Sequence, residues 1–366
     1  MVSFADLGLK RNIIEVLESL EFTKPMEVQE QVIPLILQNK NIVFTSRTGS
    51  GKTLAYTIAS IGRLNSRQGI QMLVILPTRE LCIQVGKEVK KICDLLNMKV
   101  GILYGGREIY GDRRTTGRKN QIIVATPGRL IQHINEKSVK VGEVKFIVFD
   151  ESDQLFDDGF YDECGYIQSR ISRDAQTILA SATITGKVQS FIDREIGEYE
   201  LLAVGEKIPT KIKQEHIFCG ILEKNEALLK FLKKKKFKQA MIFCNTKIKT
   251  DNIAKFLKDN GVDAKPLHGS IEQKEREGRL RAFRKERTKM LVTTDVAARG
   301  LHIDSVDVVV NYDVPNRNEF YIHRIGRTGR KDLAGYSLTI ICEEDRDRFK
   351  EIQQEYGIKS KEIIIK

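Results

Sequence analysis

The sequence predicts an α/β protein of two tandem domains, each a parallel sheet flanked by helices on both faces. Three observations lead there: a length of 366 residues, a glycine-rich loop set between an apolar run and a helix start, and short apolar runs that alternate with amphipathic ones. A chain this long exceeds what one hydrophobic core usually supports. Strands buried on both faces read as continuous apolar runs, with the helices between them as crossovers.

Leu7 to Leu20 has helical spacing through Leu9, Ile13, Val16, Leu17 and Leu20, and ends before Phe22-Thr23-Lys24-Pro25. A second helix, Val28–Leu37, carries Gln29. Alternation then sets in, with strand Ile42–Thr45, helix Lys52–Asn65, strand Met72–Leu76, helix Glu80–Leu96 and strand Val100–Tyr104. Within 80–96, Leu81, Val85, Val89, Ile92 and Leu96 fall on one face. Ile122–Ala125, Phe146–Phe149 and Thr177–Ala180 continue the strands. The polar stretch Gly205-Glu206-Lys207-Ile208-Pro209-Thr210 marks a linker, which sets the expected domains at 1–204 and 214–366 with residues 205–213 between them. In the second domain Gln239–Cys244, Ala264–Leu267, Met290–Thr293, Val306–Asn311 and Tyr336–Ile341 read as strands, and 224–235, 250–260, 273–285 and 318–326 as helices.

Composition narrows the class. Lysine and arginine number 61 against 49 acidic residues, a net charge of +12, which is the footprint of a nucleic-acid binder. The run Lys233-Lys234-Lys235-Lys236 reads as a solvated helix end, favourable to the helix dipole. Six cysteines, with no C-x-x-C pair, fit buried thiols in a reducing compartment. No apolar stretch approaches the ~18 residues of a membrane span and the N-terminus has no charged-then-apolar leader, so a soluble intracellular protein is expected, in nucleus, nucleolus or cytoplasm.

The loop Ser46-Arg47-Thr48-Gly49-Ser50-Gly51-Lys52-Thr53 follows Ile42-Val43-Phe44 and opens a helix, the geometry of phosphate binding. Glycines let several N–H groups turn toward one anion. Lys52 then reaches the β- and γ-phosphates, and the Thr53 hydroxyl ligates Mg2+. Ser46 stands where the usual pattern has glycine. Asp150-Glu151-Ser152-Asp153 closes the strand Phe146–Phe149, where a phosphate-loop enzyme needs its Mg2+-binding aspartate, and Glu151 is placed to orient and deprotonate the attacking water. The second domain has no such loop, so one nucleotide serves both.

These residues resemble the DEAD-box RNA helicases of superfamily 2 from Phe4 to about Ile341, with Ser152 in place of the family's alanine. The resemblance implies two RecA-like domains, ATP and Mg2+ as ligands, and RNA as the partner of a monomer. It implies that Phe22 stacks on adenine and Gln29 reads its exocyclic edge, with Phe4 in support and Lys24 beside them; by spacing alone Phe22 reads as a core aromatic between two helices. It assigns the RNA backbone to Pro77, Thr78, Arg79, Gly105, Gly106, Thr126, Pro127 and Arg129 in the first domain. In the second it assigns His268, Gly269, Arg276, Thr293 and Thr294. The resemblance also implies that Asp153, Ser181, Thr183 and His323 couple hydrolysis to strand separation. Arg327 and Arg330 act as arginine fingers on the γ-phosphate, and helical spacing sets Arg327 about one turn beyond His323 on the same face.

Two departures stand out. Met26 replaces a hydroxyl-bearing residue before Gln29, and His302 follows Arg299-Gly300-Leu301 where the family has the aspartate that holds the ATP ribose; a weaker ribose contact is expected, and the alternative is that Asp304, two residues on, takes over. The expected activity is ATP-dependent local unwinding or remodelling of RNA. The alternative is an ATP-gated RNA clamp that scaffolds partners without productive unwinding. With Phe4 near the first residue and the last strand near the end, no additional RNA-binding domain is expected.

Overall fold

The computed structural model describes residues 2–46, 49–106, 112, 120–204, 212–298, 306–329 and 334–364. The chain divides into two compact units, Met1–Gly205 and Glu206–Lys366.

In the first unit seven strands form one parallel sheet: β1 (Asn41–Thr45), β2 (Met72–Ile75), β3 (Val100–Leu103), β4 (Ile122–Ala125), β5 (Phe146–Asp150), β6 (Gln176–Ser181) and β7 (Tyr199–Ala203). Their spatial order is β3-β4-β2-β5-β6-β1-β7. Alternate residues of a strand feed opposite faces. Ile42, Phe44, Met72 and Val74 join helices Arg11–Ser19, Glu27–Leu37, Lys52–Ile61 and Arg79–Leu95 in one core, while Val43, Leu73 and Ile75 join helices Pro127–Asn135, Ser152–Asp157, Tyr161–Arg170 and Gly186–Glu195 in the other. Both faces are covered, which is why these strands carry almost no polar residue.

The second unit repeats the plan with β8 (Ile212–Phe218), β9 (Ala240–Phe243), β10 (Ala264–Leu267), β11 (Met290–Thr293), β12 (Val308–Asn311), β13 (Gly335–Ile341) and β14 (Lys361–Glu362). Their order is β10-β11-β9-β12-β13-β8-β14, again all parallel. Helices Lys224–Lys234 and Lys247–Asp259 cover one face, and Gln273–Arg284, Asn318–Ile325 and Arg346–Tyr356 the other. Two parallel seven-stranded sheets with helices on both faces are the tandem RecA-like architecture.

Several boundaries differ from the sequence reading. The first helix begins at Arg11, because Gly8 takes a left-handed φ of 81° after a single 3-10 turn at Phe4–Leu7. Helix Lys52–Ile61 stops short of Asn65 at Gly62. The expected linker ran through residue 213, yet Ile212 and Lys213 already pair with Gly335 and Tyr336 in β8. In that strand Ile212 is followed by the polar run Lys213-Gln214-Glu215-His216, so its start merges with the polar stretch before it.

Candidate active site and nucleic-acid interface

The carboxyl ends of β1, β6 and β5 lie side by side and carry the phosphate loop, Ser181–Thr183 and Asp150–Asp153. At the first of these the chain must turn sharply, and Gly49 (φ 83°) and Gly51 (φ 91°) take the left-handed conformations that allow it. Ser46 is buried; its N–H donates to the Ser181 carbonyl at 3.0 Å and its Oγ lies 2.8 Å from the Ser50 Oγ. Lys52 is buried too, donating from Nζ to the Ser46 carbonyl at 3.1 Å and standing 3.6 Å from Glu151 Oε1. Burial works against its charge, but Glu151, Asp150 and Asp153 more than offset this and raise the Lys52 pKa. Arg47 and Thr48 lie outside the described residues.

Gln29 is also at the loop. Its Nε2 donates to the Gly51 carbonyl at 3.3 Å while its Oε1 accepts from Met26 N at 2.8 Å. A Cβ on Gly51 would sit 2.5 Å from Gln29 Nε2 and 2.9 Å from Met26 Sδ, so Met26 packs on the loop where a hydroxyl was expected. Phe4 is in the core and Phe22 is 42% exposed, so Phe22 is not the core aromatic its spacing suggested. Lys24 is exposed.

Asp150 ends β5 with its carboxylate buried; Oδ2 accepts from the Tyr56 hydroxyl at 2.9 Å and Oδ1 from Glu151 N at 2.9 Å. Burial raises its pKa to about 6, with Lys52 opposing and Glu151 adding to the rise. Glu151 has a left-handed φ of 52°, unusual for a non-glycine residue, and its side chain reaches back to Lys52. Ser152 Oγ lies 3.0 Å from the Phe149 carbonyl and 2.9 Å from that of Ala180, tying β5 to β6. Asp153 Oδ2 accepts from both Thr183 N (3.1 Å) and Thr183 Oγ1 (3.0 Å), while Ser181 Oγ accepts from Asp153 N at 3.1 Å and donates to the Thr183 carbonyl at 2.8 Å.

Along the same rim Pro77 is buried and Thr78 caps helix Arg79–Leu95, accepting from Leu81 N at 3.3 Å. Arg79 is exposed and lies so close to Gly106 (φ 84°) that any Cβ there would overlap its guanidinium; Gly105 is beside it. Thr126 precedes Pro127, which opens helix Pro127–Asn135. Arg129 is turned inward, however, donating to Asp112 Oδ2 at 2.7 Å, where His133 Nε2 also lies at 3.0 Å.

In the second unit His268 is buried with Nε2 2.9 Å from Asp251 Oδ1, and Gly269 is exposed. Arg276 donates to the Ala297 carbonyl at 3.2 Å. Thr293 is wholly buried with its hydroxyl on the Leu267 carbonyl at 3.0 Å, and Thr294 Oγ1 accepts from Ala297 N at 3.4 Å. Both threonine hydroxyls thus serve the backbone. Helix Asn318–Ile325 ends before Arg327, so His323 and Arg327 do not share a helical face; Arg327 is in the following turn, 8% exposed. Gly300, His302 and Arg330 lie outside the described residues.

Residues 26–191 match the DEAD/DEAH box helicase family and residues 223–332 the helicase conserved C-terminal domain. A probable ATP-dependent RNA helicase of Methanocaldococcus jannaschii is 34% identical over 363 residues, covering 99% of this chain and 98% of its own. The chain is a DEAD-box RNA helicase. The human probable ATP-dependent RNA helicase DDX47 is 36% identical over 361 residues, covering 98% of this chain and 79% of that protein. S. cerevisiae Dbp5 bound to RNA and ADP BeF3 superposes with a TM-score of 0.88 at 28% identity, over 99% of this chain and 95% of that one. As a member of this family the helicase is an ATP hydrolase. Among the described residues no helix is long and apolar enough to cross a membrane.

Sequence reasoning missed Arg324, among the described residues the largest side chain that is almost wholly buried. The helicase holds it 1% exposed, with Nε and Nη2 on the two Asp295 oxygens (2.6 and 2.7 Å), Nη1 on the Asp313 carbonyl (2.6 Å) and Nη2 on Asn245 Oδ1 (2.9 Å). Tyr56 was missed as well. It reads as one more apolar position of its helix, and only the structure shows its hydroxyl on Asp150.

Proposed function

We propose that the helicase couples ATP binding and hydrolysis to local unwinding or remodelling of RNA. The observation that carries the reading is the charge arrangement at the ends of β1 and β5: a buried lysine and a buried aspartate, with the partly exposed Glu151 3.6 Å from the lysine. A bound triphosphate would place its β- and γ-phosphates against Lys52 and the loop N–H groups. Phe22 would stack on the adenine and Gln29 would fix its edge, with Phe4 packing beneath.

The residues also fit Mg2+. Such a cation is held by one or two protein oxygens plus substrate phosphates. Thr53 and Asp150 would hold it, and the raised Asp150 pKa reflects a buried carboxylate in want of positive charge. When bound, the cation would neutralise phosphate charge.

Glu151 orients the attacking water and accepts its proton. The oxygen of that water bonds the γ-phosphorus as the bond to the bridging oxygen breaks, which leaves ADP and phosphate. Arg327 and Arg330 offset the charge that spreads over the γ-phosphoryl oxygens. The Asp153–Thr183–Ser181 bonds tie the same strand end to β6 and make hydrolysis sensible to the RNA rim. RNA would lie along that rim, with Thr78, Arg79, Gly105 and Gly106 toward its backbone and 2′-hydroxyls. Arg129, through its bond to Asp112, would brace the rim from within. The helicase would act as a monomer.

The test is RNA-stimulated ATP hydrolysis. Lys52→Ala should abolish it with the fold intact, and Arg327→Ala should lower it by roughly 10³-fold while ATP affinity changes little. Normal turnover in Lys52→Ala would end this reading of the nucleotide site.

A further inference from the structure

Tyr56 is fully buried, one turn along the helix from Thr53, and its hydroxyl is spent on neither solvent nor backbone. It donates to Asp150 Oδ2 at 2.9 Å, since a carboxylate has no proton to offer. Asp150 Oδ1 takes its bond from Glu151 N, so the two oxygens are pinned by one donor each. Tyr56 therefore holds Asp150 in one orientation from the side opposite the Glu151 amide's oxygen.

We propose that Tyr56 is a positioning residue that sets Asp150 in the orientation that binds Mg2+. The proposal rests on the nucleotide-site reading above. Tyr56 touches neither the nucleotide nor the cation and acts only through Asp150. A phenylalanine would fill the same volume and leave Asp150 Oδ2 buried without that donor, free to turn. Partners of this outer kind are worth about 10- to 100-fold in metal affinity.

The experiment measures binding of a fluorescent, non-hydrolysable ATP analogue to the full chain as Mg2+ is titrated, for wild type, Tyr56→Phe, Asp150→Ala and the double variant. Tyr56→Phe should raise the half-saturating Mg2+ concentration roughly tenfold, with analogue binding in the absence of Mg2+ unchanged. Its thermal midpoint should stay within about 4 °C of wild type, which a merely structural role of the hydroxyl would equally allow while leaving the Mg2+ response untouched. In the Asp150→Ala background the phenylalanine should add less than about twofold, because its effect passes through the carboxylate. An unchanged Mg2+ response in folded Tyr56→Phe overturns the proposal, as does a full tenfold effect that persists without Asp150. A wild-type protein whose analogue binding ignores Mg2+ would defeat the nucleotide-site reading itself, and the proposal with it.

Discussion

Arg324→Ala isolates the interaction on which the second unit turns. This guanidinium donates five hydrogen bonds, two of them a bidentate pair with Asp295, whose side chain is only 13% exposed. Removing one partner of a buried ion pair costs about 3–5 kcal/mol, because the other charge is left desolvated. The small exposure of Asp295 lets water relieve part of that, so about 3 kcal/mol is the expected loss. At ~1.4 kcal/mol per factor of ten, the open population of the unit rises roughly a hundredfold. Hydrogen exchange of the β9 and β12 amides reports it directly, since central strands exchange through global opening. Arg324→Lys should recover only part, because one ammonium cannot span Asp295, Asn245 and the Asp313 carbonyl together. Adding Asp295→Ala to Arg324→Ala should cost less than Asp295→Ala alone. Exchange rates in Arg324→Ala within about threefold of wild type would refute the assignment of Arg324 as the unit's buried hub.

Two further outcomes follow from the first unit. The Asp150 pKa is raised to about 6 from 3.8, so between those values the folded chain keeps a proton that the unfolded chain has lost, and stability from this group falls as pH climbs through that window. Asp150→Asn should therefore be more stable than nucleotide-free wild type by on the order of 2–3 kcal/mol at neutral pH and level with it near pH 4, as read by denaturant unfolding; a less stable variant at neutral pH would contradict it. Ser152→Ala removes a hydroxyl that only ties two backbone carbonyls together. It should cost about 0.5–1.5 kcal/mol of stability and change ATP turnover less than about twofold, and a tenfold loss of turnover would give the hydroxyl a role in the chemistry.

The strands that build the first sheet were readable because burial on both faces demands continuous apolar runs such as Phe146–Phe149. Strands without a continuous apolar run give no such signal: the edge strand β7 is half-exposed and β8 carries the consecutive polar residues Lys213-Gln214-Glu215-His216, and neither was foreseen. Helix Gly186–Glu195 did leave a signal, the Thr185 cap with Val188, Phe191 and Ile192 on one face, that the sequence reading passed over. At the site, the loop glycines and the acidic strand end were legible because phosphate chemistry dictates both type and spacing. The direction of a charged side chain was not. Arg79, Arg129 and Arg324 look alike in sequence, yet one lies exposed against Gly106, one is buried on Asp112 and one is buried on Asp295. Which carboxylate each finds depends on tertiary packing.

The central claim is that ATP drives release of a paired RNA strand, and a fluorescence assay of strand displacement from a short RNA duplex tests it most directly. Wild type with ATP should separate the strands, while ADP or the Lys52→Ala variant should leave the duplex intact. RNA held for long times with slow ATP turnover and no strand released would contradict the account and make the protein an ATP-gated clamp.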